Sequence, residues 1–227
     1  MGFTYDPSVF DVSDMNQAMR IIMTAENSTT QERWQKETPY IADLVARKMS
    51  ITANTLLLDY GCGIGRVAKE LIARYGCRVV GVDISPSMRA FAAIYVESDR
   101  FFACSAAMLD LMLEHGLSFD GAISIWVLQH CERPAGEVAR IRRALKADGK
   151  LLVVNSFARV VPGVERKLFT AVPTLERKWF DDGVDVGSLL RSTFSPLDDG
   201  AMPASIPGIL ADRHFWALFG AGDEQRL

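Results

Sequence analysis

Residues 56–71 read LLLDYGCGIGRVAKEL. A short apolar run passes through three glycines at alternating positions, Gly61, Gly63 and Gly65, directly into the spacing of an amphipathic helix. No other feature constrains the fold as strongly. It puts a bare backbone at the end of a buried strand, where glycine lets the chain turn sharply and another molecule approach closely.

The alternation continues downstream. RVVGVD, RFFACS, FDGAISIWV and KLLVVNSF read as further strands, apolar enough to be buried on both faces. Between them lie helical stretches. RVAKELIARYG closes at Gly76, and SPSMRAFAAIYV opens with Ser85 as cap and Pro86 at the first helical position. AAMLDLMLEHG and PAGEVARIRRALKADG follow, the latter read as helical up to Gly149. Five strands alternating with helices predict a mostly parallel sheet covered on both faces. Right-handed crossovers then bring the C-terminal strand ends to one edge, where open α/β sheets bind ligands.

The flanks are less regular. Residues 12–50 read as helical in two or more pieces, MNQAMRIIM and IADLVARKM, broken at ENSTTQ, with Pro39 near a helix start. In 158–212, VERKLFTAV and VDVGSLLRS read as helices, and RHFWALFG, 213–220, reads as a final strand. The whole chain, 1–227, is expected to be one domain. It comprises a helical lid (1–50), a binding core (51–157), a helical substrate cap (158–212) and a last strand with its tail (213–227).

The formal net charge of −3 gives no reason to expect a nucleic-acid partner. Cys62, Cys77, Cys104 and Cys131 make no CxxC pair, so no metal is expected, and free thiols suit a reducing cytoplasm. MGFTYDPSVF lacks a basic stretch and an apolar core, so no secretory leader is expected, and no run approaches the roughly 20 apolar residues that a membrane helix needs.

The glycine spacing, G-x-G-x-G, differs from the dinucleotide pattern G-x-G-x-x-G. Asp59 stands two residues before the first glycine. Its carboxylate repels a phosphate and attracts an ammonium group. Asp83 ends the next strand, where a carboxylate accepts hydrogen bonds from both ribose hydroxyls and rejects a 2′-phosphate. A ribose at one strand and an ammonium at its neighbour describe S-adenosylmethionine. A nicotinamide-dependent dehydrogenase fits both observations less well.

LLLDYGCGIG followed by VVGVDISPSM resembles the first two motifs of the class I S-adenosylmethionine-dependent methyltransferases. FDGAISIWVLQHC and IRRALKADGKLLVVN resemble the fourth strand and the strand-five region of that family, and the resemblance covers roughly residues 50–157. It implies a Rossmann-like α/β fold: a seven-stranded, mostly parallel sheet whose antiparallel last strand is RHFWALFG. It implies S-adenosylmethionine as cofactor and S-adenosylhomocysteine as product. Asp59, Gly61, Cys62, Gly63 and Gly65 then form the turn against the methionine part. Asp83 holds the ribose, while Ile84 and Met88 pack on the adenine. Ser105 and Ala106 meet the adenine edge, and Ile125 closes the pocket at the fourth strand. Many relatives carry an acidic residue where Ser105 stands; a serine accepts there without charge. Cys62 reads as a small filler.

A sulfonium makes its methyl group electrophilic, so such a protein mainly positions the reactants and excludes water. A base is needed only if the acceptor must lose a proton. WVLQH brings Trp126, Gln129 and His130 to the active edge, and His130 is the titratable group suited to accept that proton. Its other reading is a helix cap or a residue packed beneath the lid. Trp34, Tyr40 and Arg33 belong to a lid over cofactor or substrate, or to the core. Asp110, Asp120 and Glu132 are candidates for binding substrate but show no metal-ligand spacing. Arg140, Arg142, Arg143 and Lys146 are expected on one helix with a solvated face.

The expected acceptor is a small molecule, because the cap region is rich in Leu168, Phe169, Trp179, Phe180 and Phe194. The alternatives are an RNA or protein acceptor, or a non-catalytic S-adenosylmethionine-binding partner subunit. The first of these needs a basic apron built from Arg159, Arg166, Lys167, Arg177, Lys178 and Arg191. A monomer or homodimer is expected.

Overall fold

A computed structural model describes residues 3–25, 28–167 and 174–222. Five strands form the parallel part of the main sheet: β2 (Leu56–Tyr60), β3 (Arg78–Val82), β4 (Phe101–Cys104), β5 (Phe119–Ile125) and β6 (Leu145–Ser156). Two more complete it: β10 (His214–Gly220) pairs antiparallel with β6, and β9 (Ser195–Ala201) pairs antiparallel with β10. The order across this seven-stranded sheet is β4-β3-β2-β5-β6-β10-β9. RHFWALFG is thus the antiparallel strand that the sequence predicts. β9 was not anticipated: SPLDDGA lacks apolar alternation because it lies at the sheet edge, mostly exposed.

The helices are α1 (Met15–Ile22), α2 (Thr30–Met49), α3 (Arg66–Tyr75), α4 (Pro86–Val96), α5 (Ala106–Glu114), α6 (Pro134–Ala144) and α7 (Val186–Thr193). Side chains alternate across each strand, so each face of the sheet carries an apolar cluster. On one face Leu58, Val80, Phe119 and Leu151 pack with Leu109 of α5, Ile141 of α6 and Leu190 of α7. On the other, Leu57, Val79, Ile123 and Leu152 pack with Ile41 and Val45 of α2 and Leu71 of α3. None of the described helices is long and apolar enough to cross a membrane.

Four local expectations change. Pro39 lies inside α2, not at its start; Thr29 caps that helix instead. An interior proline costs about 3 kcal/mol. Complete burial of Ile41, Leu44 and Val45 against the sheet returns more, at about 1.5–3 kcal/mol each. α6 ends at Ala144, because Leu145 already pairs with Phe119. Lys146 therefore leaves the arginine helix and meets Asp120. The remaining arginines brace neighbours rather than only facing solvent: Arg140 and Arg143 reach Asp110 of α5, and Arg142 donates to the Gly222 carbonyl.

The fourth change is the largest. The VERK half of VERKLFTAV is strand, not helix. β7 (Val161–Lys167) pairs antiparallel with β8 (Thr174–Phe180) and with β1 (Thr4–Tyr5), making a second, three-stranded sheet. A pairing partner distant in sequence overrides the local spacing. Leu168 and Phe169 lie outside the described residues.

The glycine turn needs glycine at Gly65, whose φ is +76° and where a Cβ would stand 2.5 Å from Val96 Cγ2. Gly116 has φ +88° with nothing near that position. Gly116→Ala should therefore cost only the left-handed strain, about 1–2 kcal/mol. Gly65→Ala should cost about 1–3 kcal/mol more from overpacking. Urea unfolding of both variants measures the difference, and equal losses would remove the packing role of Gly65.

Candidate active site

The C-terminal ends of β2, β3, β4 and β5 border a cavity of about 680 Å³. The glycine turn shapes its floor. Gly61 and Cys62 donate their N–H groups to the Val82 carbonyl at 2.7 and 2.9 Å, and Gly63 donates to Asp83 Oδ2 at 2.8 Å. At Gly61 (φ +80°) a Cβ would stand 2.2 Å from Val127 Cγ2, so a side chain there would push the β5 loop away.

Asp59 and Asp83 stand at adjacent strand ends on the cavity wall, Asp59 only 3% exposed. Asp83 also accepts from the Ser85 N–H at 2.9 Å. A carboxylate has about four acceptor positions, so about two remain for a ligand. Burial raises the Asp83 pKa, and its two backbone N–H donors oppose that rise. Asp59 differs: no hydrogen bond from the described residues reaches its carboxylate. Burial pushes its pKa up to about 7, Arg66 works against the rise, and Asp83 adds to it. A desolvated carboxylate without a partner is unfavourable until a cation joins it.

Behind this wall lies a buried charge network. Glu37 of α2 is fully buried and accepts from Arg33 Nη2 at 3.2 Å, Arg66 Nη2 at 2.7 Å and Trp126 Nε1 at 2.8 Å. Arg66, the first residue of α3, faces the cavity. Trp126 also lines the cavity and holds a left-handed backbone, φ +61°. Such a conformation costs a non-glycine residue about 1–3 kcal/mol and persists only where its surroundings enforce it.

Ile84, Met88, Ser105, Ala106 and Ile125 also line the cavity. The Ser105 hydroxyl caps α5 by accepting from the Met108 N–H at 3.2 Å. His130, in the single 3₁₀ turn after β5, lines the cavity as well. Its Nδ1 lies 2.6 Å from the Val160 carbonyl, which can only accept, so the proton is assigned to Nδ1. Nε2 is then the ring acceptor, 3.3 Å from Gln129 Nε2. Burial depresses the imidazole pKa, the Val160 contact opposes this, and the Arg159 charge adds to it.

Four expected site residues lie off the cavity wall. Gly65 is packed under Val96 and Phe101. Trp34 stacks edge-on against Tyr95 and donates to its hydroxyl at 3.2 Å. Tyr40 packs on the α2–α3 side of the sheet. Gln129 instead stitches the loop to β6, its Oε1 accepting from the Ser156 N–H at 3.0 Å.

The wall also contains residues that the sequence reading missed. Residues 3–12 run over the cavity as a strap. β1 pairs with β7 at one end, and at the other Val12 N–H donates to Ser87 Oγ and Ser85 Oγ donates to Asp11 Oδ1, both at 2.9 Å. The strap contributes Tyr5 and Phe10, and α1 contributes Ile21 and Ile22. Tyr60, Cys131, Arg133 and Glu137 complete the far end, together with Glu132, which the sequence offers as a substrate-binding candidate. Arg66 was legible as the residue after the third glycine; the strap carries no motif.

Residues 58–153 match the family described as the methyltransferase domain. Over that stretch, less than half of the chain, the protein is similar to the class I S-adenosylmethionine-dependent methyltransferases. Among curated relatives of this methyltransferase, O-methyltransferase resE of Aspergillus sclerotiorum is 25% identical over 68% of the chain and 60% of its own length. The ubiquinone biosynthesis O-methyltransferase of Bradyrhizobium sp. is 29% identical over 56% of the chain and 54% of its own length. The methyltransferase thus spans less than two thirds of the length of these relatives. Among solved structures, 1,6-didemethyltoxoflavin-N1-methyltransferase of Burkholderia thailandensis, with S-adenosylhomocysteine bound, shares the fold. Its TM-score is 0.56 at 22% identity, over 84% of this chain and 81% of that one.

Asp59 sets a pH signature in the ligand-free methyltransferase. Its folded pKa, about 7, lies above the roughly 3.9 of an unfolded aspartate. Between those values the folded state binds more protons, so this contribution to stability falls as pH rises. Calorimetric melting at pH 5 and pH 8 should show wild type losing stability relative to Asp59→Asn. A constant difference between the two proteins would refute the assignment.

Proposed function

We propose that this methyltransferase transfers a methyl group from S-adenosylmethionine to a small-molecule acceptor, with His130 as the proton acceptor. The observation that carries the proposal is the pair of buried carboxylates flanking the glycine turn, one of them, Asp59, without a hydrogen-bond partner among the described residues. The donor set fits the cofactor. Asp59 would hold the α-ammonium, Asp83 would use its remaining acceptor positions for the ribose hydroxyls, and the bare turn would admit the methionine chain. Ile84, Met88, Ser105, Ala106 and Ile125 would enclose the adenine.

When bound, the cofactor supplies a sulfonium-activated methyl group. The chain's own residues do the rest by positioning. The strap residues Tyr5 and Phe10, with Trp126 opposite, keep water from the reacting atoms. His130 would receive the acceptor's proton on Nε2 as the methyl group is transferred. The depressed imidazole pKa keeps the ring neutral and ready near neutral pH.

A small acceptor is supported by the covered cavity and by O-methyltransferases among the relatives. Three residues of the basic apron that an RNA acceptor needs are engaged in ion pairs. Arg159 is bound to Asp182, Arg177 to Asp6 and Lys178 to Glu165. Three buried free cysteines, Cys62, Cys77 and Cys104, favour a reducing cytoplasm.

Calorimetric titration with S-adenosylmethionine, S-adenosylhomocysteine and NADH tests the reading. Micromolar binding of the first two and none of NADH is expected, with Asp83→Ala weaker by at least about ten-fold, or 1.4 kcal/mol. Near pH 7 binding should also release protons, because the ammonium ionises Asp59. Buffers of different ionisation enthalpy report that release, and Asp59→Asn should abolish it. No binding of either adenosyl compound would overturn the proposal.

A further inference from the structure

His130 stands in a loop with little structure of its own: one 3₁₀ turn, Leu128–His130, between β5 and α6. What holds it comes from the connection between β6 and β7. Arg159 there is 3% exposed and outside the cavity wall. Its guanidinium donates Nη1–H to the Leu128 carbonyl at 2.5 Å and Nη2–H to the Cys131 carbonyl. These are the backbone oxygens on either side of Gln129 and His130. The same fork grips Asp182, just beyond β8, through Nε–H at 3.0 Å and Nη2–H at 3.1 Å. The next residue, Val160, supplies the carbonyl that takes the His130 Nδ1 proton, and its N–H donates to the Gln129 carbonyl at 2.9 Å.

We propose that Arg159 is the positioning residue for His130: by tying both shoulders of the loop to the second sheet, it holds the imidazole against Val160 and so fixes Nε2 as the ring acceptor. The inference rests on the reading of His130 as proton acceptor. It does not depend on which acceptor is methylated. Only a planar guanidinium spans two loop carbonyls and a carboxylate at once, whereas a lysine is a point donor. The salt bridge is partly buried, with Asp182 held well below the usual carboxylate range by the Arg159 hydrogen bonds.

The electrostatic surroundings give this role a signature beyond stability. Arg159 is the charged group of the β6–β7 connection beside His130. The loop itself adds Gln129 and Cys131, while the strap and β8 add only the uncharged rings of Phe10 and Trp179. From the start of α6 and the strap, Glu132, Arg133, Glu137 and Tyr5 share the cavity wall. Removing the Arg159 charge relieves a repulsion of the imidazolium, whereas releasing the ring from Val160 withdraws a contact that supports it, so the ring tautomer is the readout that isolates the positioning role.

The test uses ¹⁵N-imidazole NMR on the ligand-free protein, with His130 assigned against His115 and His214 by a His130→Asn variant. Wild type should show a single Nδ1–H tautomer and a pKa below 6.5. Arg159→Ala should lose that tautomer in favour of a mixture. S-adenosylmethionine affinity should stay within two-fold, since Arg159 does not line the cavity. A folded Arg159→Ala protein with its tautomer unchanged would overturn the proposal. If Arg159→Ala does not fold, Arg159→Lys decides: it keeps the charge and loses the fork, so its tautomer should be mixed, and an unmixed one overturns the proposal equally. Failure of wild type to bind S-adenosylmethionine would refute the function and leave this readout untouched.

Discussion

The site depends on one carboxylate that never meets water. Glu37 is fully buried, and it is the shared acceptor of Arg33, Arg66 and Trp126. Those donors come from three places: α2 itself, the start of α3 just past the glycine turn, and the residue after β5. Burying such a group is costly, and leaving partners of a buried ion pair uncompensated typically costs about 3–5 kcal/mol. The network therefore works as a register mark. It sets α2 on the sheet, aims Arg66 at the cavity, and holds Trp126 in a backbone conformation that a tryptophan otherwise avoids.

That arrangement explains the polarity of the cavity. The Arg66 guanidinium is already engaged by Glu37 and Thr38, at 2.7 and 3.0 Å, so it moderates the charge of Asp59 without satisfying it. A direct Arg66–Asp59 pair would neutralise the position proposed for a cationic ligand. Keeping the arginine on Glu37 leaves Asp59 desolvated and without a hydrogen-bond partner among the described residues, a local instability that a ligand's positive charge would relieve. Asp83 is treated in the opposite way. Its oxygens are partly spent on the Gly63 and Ser85 N–H groups, so it shapes the turn and still has acceptor capacity left.

Legibility in the sequence follows how local each determinant is. The parallel strands were readable because burial on both faces writes continuous apolar runs, and Asp59 and Asp83 stand out as carboxylates ending such runs. β9 and β7 were not readable. β9 is an exposed edge, and the VERK stretch of β7 has helical spacing that only its partner β8 overrides. Trp34 and Tyr40 have the composition of lid residues, yet they pack against Tyr95 and the sheet. Glu37 is one of three acids in α2, and although Arg33 stands four residues before it, nothing nearby announces that Arg66 and Trp126 from other segments will converge on it.

The same distinction separates the two ends of the cavity. The cofactor end is built by β2, β3 and their turns, the stretch matched by the methyltransferase domain. The far end is covered by segments outside that stretch: the strap, the second sheet and the β6–β7 connection. All three converge on one short loop, 128–131. Phe10 of the strap and Trp179 of β8 lie against the His130 ring, while Arg159 and Val160 hold its backbone and Nδ1. A loop with so few internal hydrogen bonds takes its geometry from whatever packs on it. Sequence change in these outer segments can then re-aim His130 and reshape the acceptor end, while the Asp59–Asp83 end keeps its chemistry. That division is how one sheet edge can keep a single methyl donor and serve different acceptors.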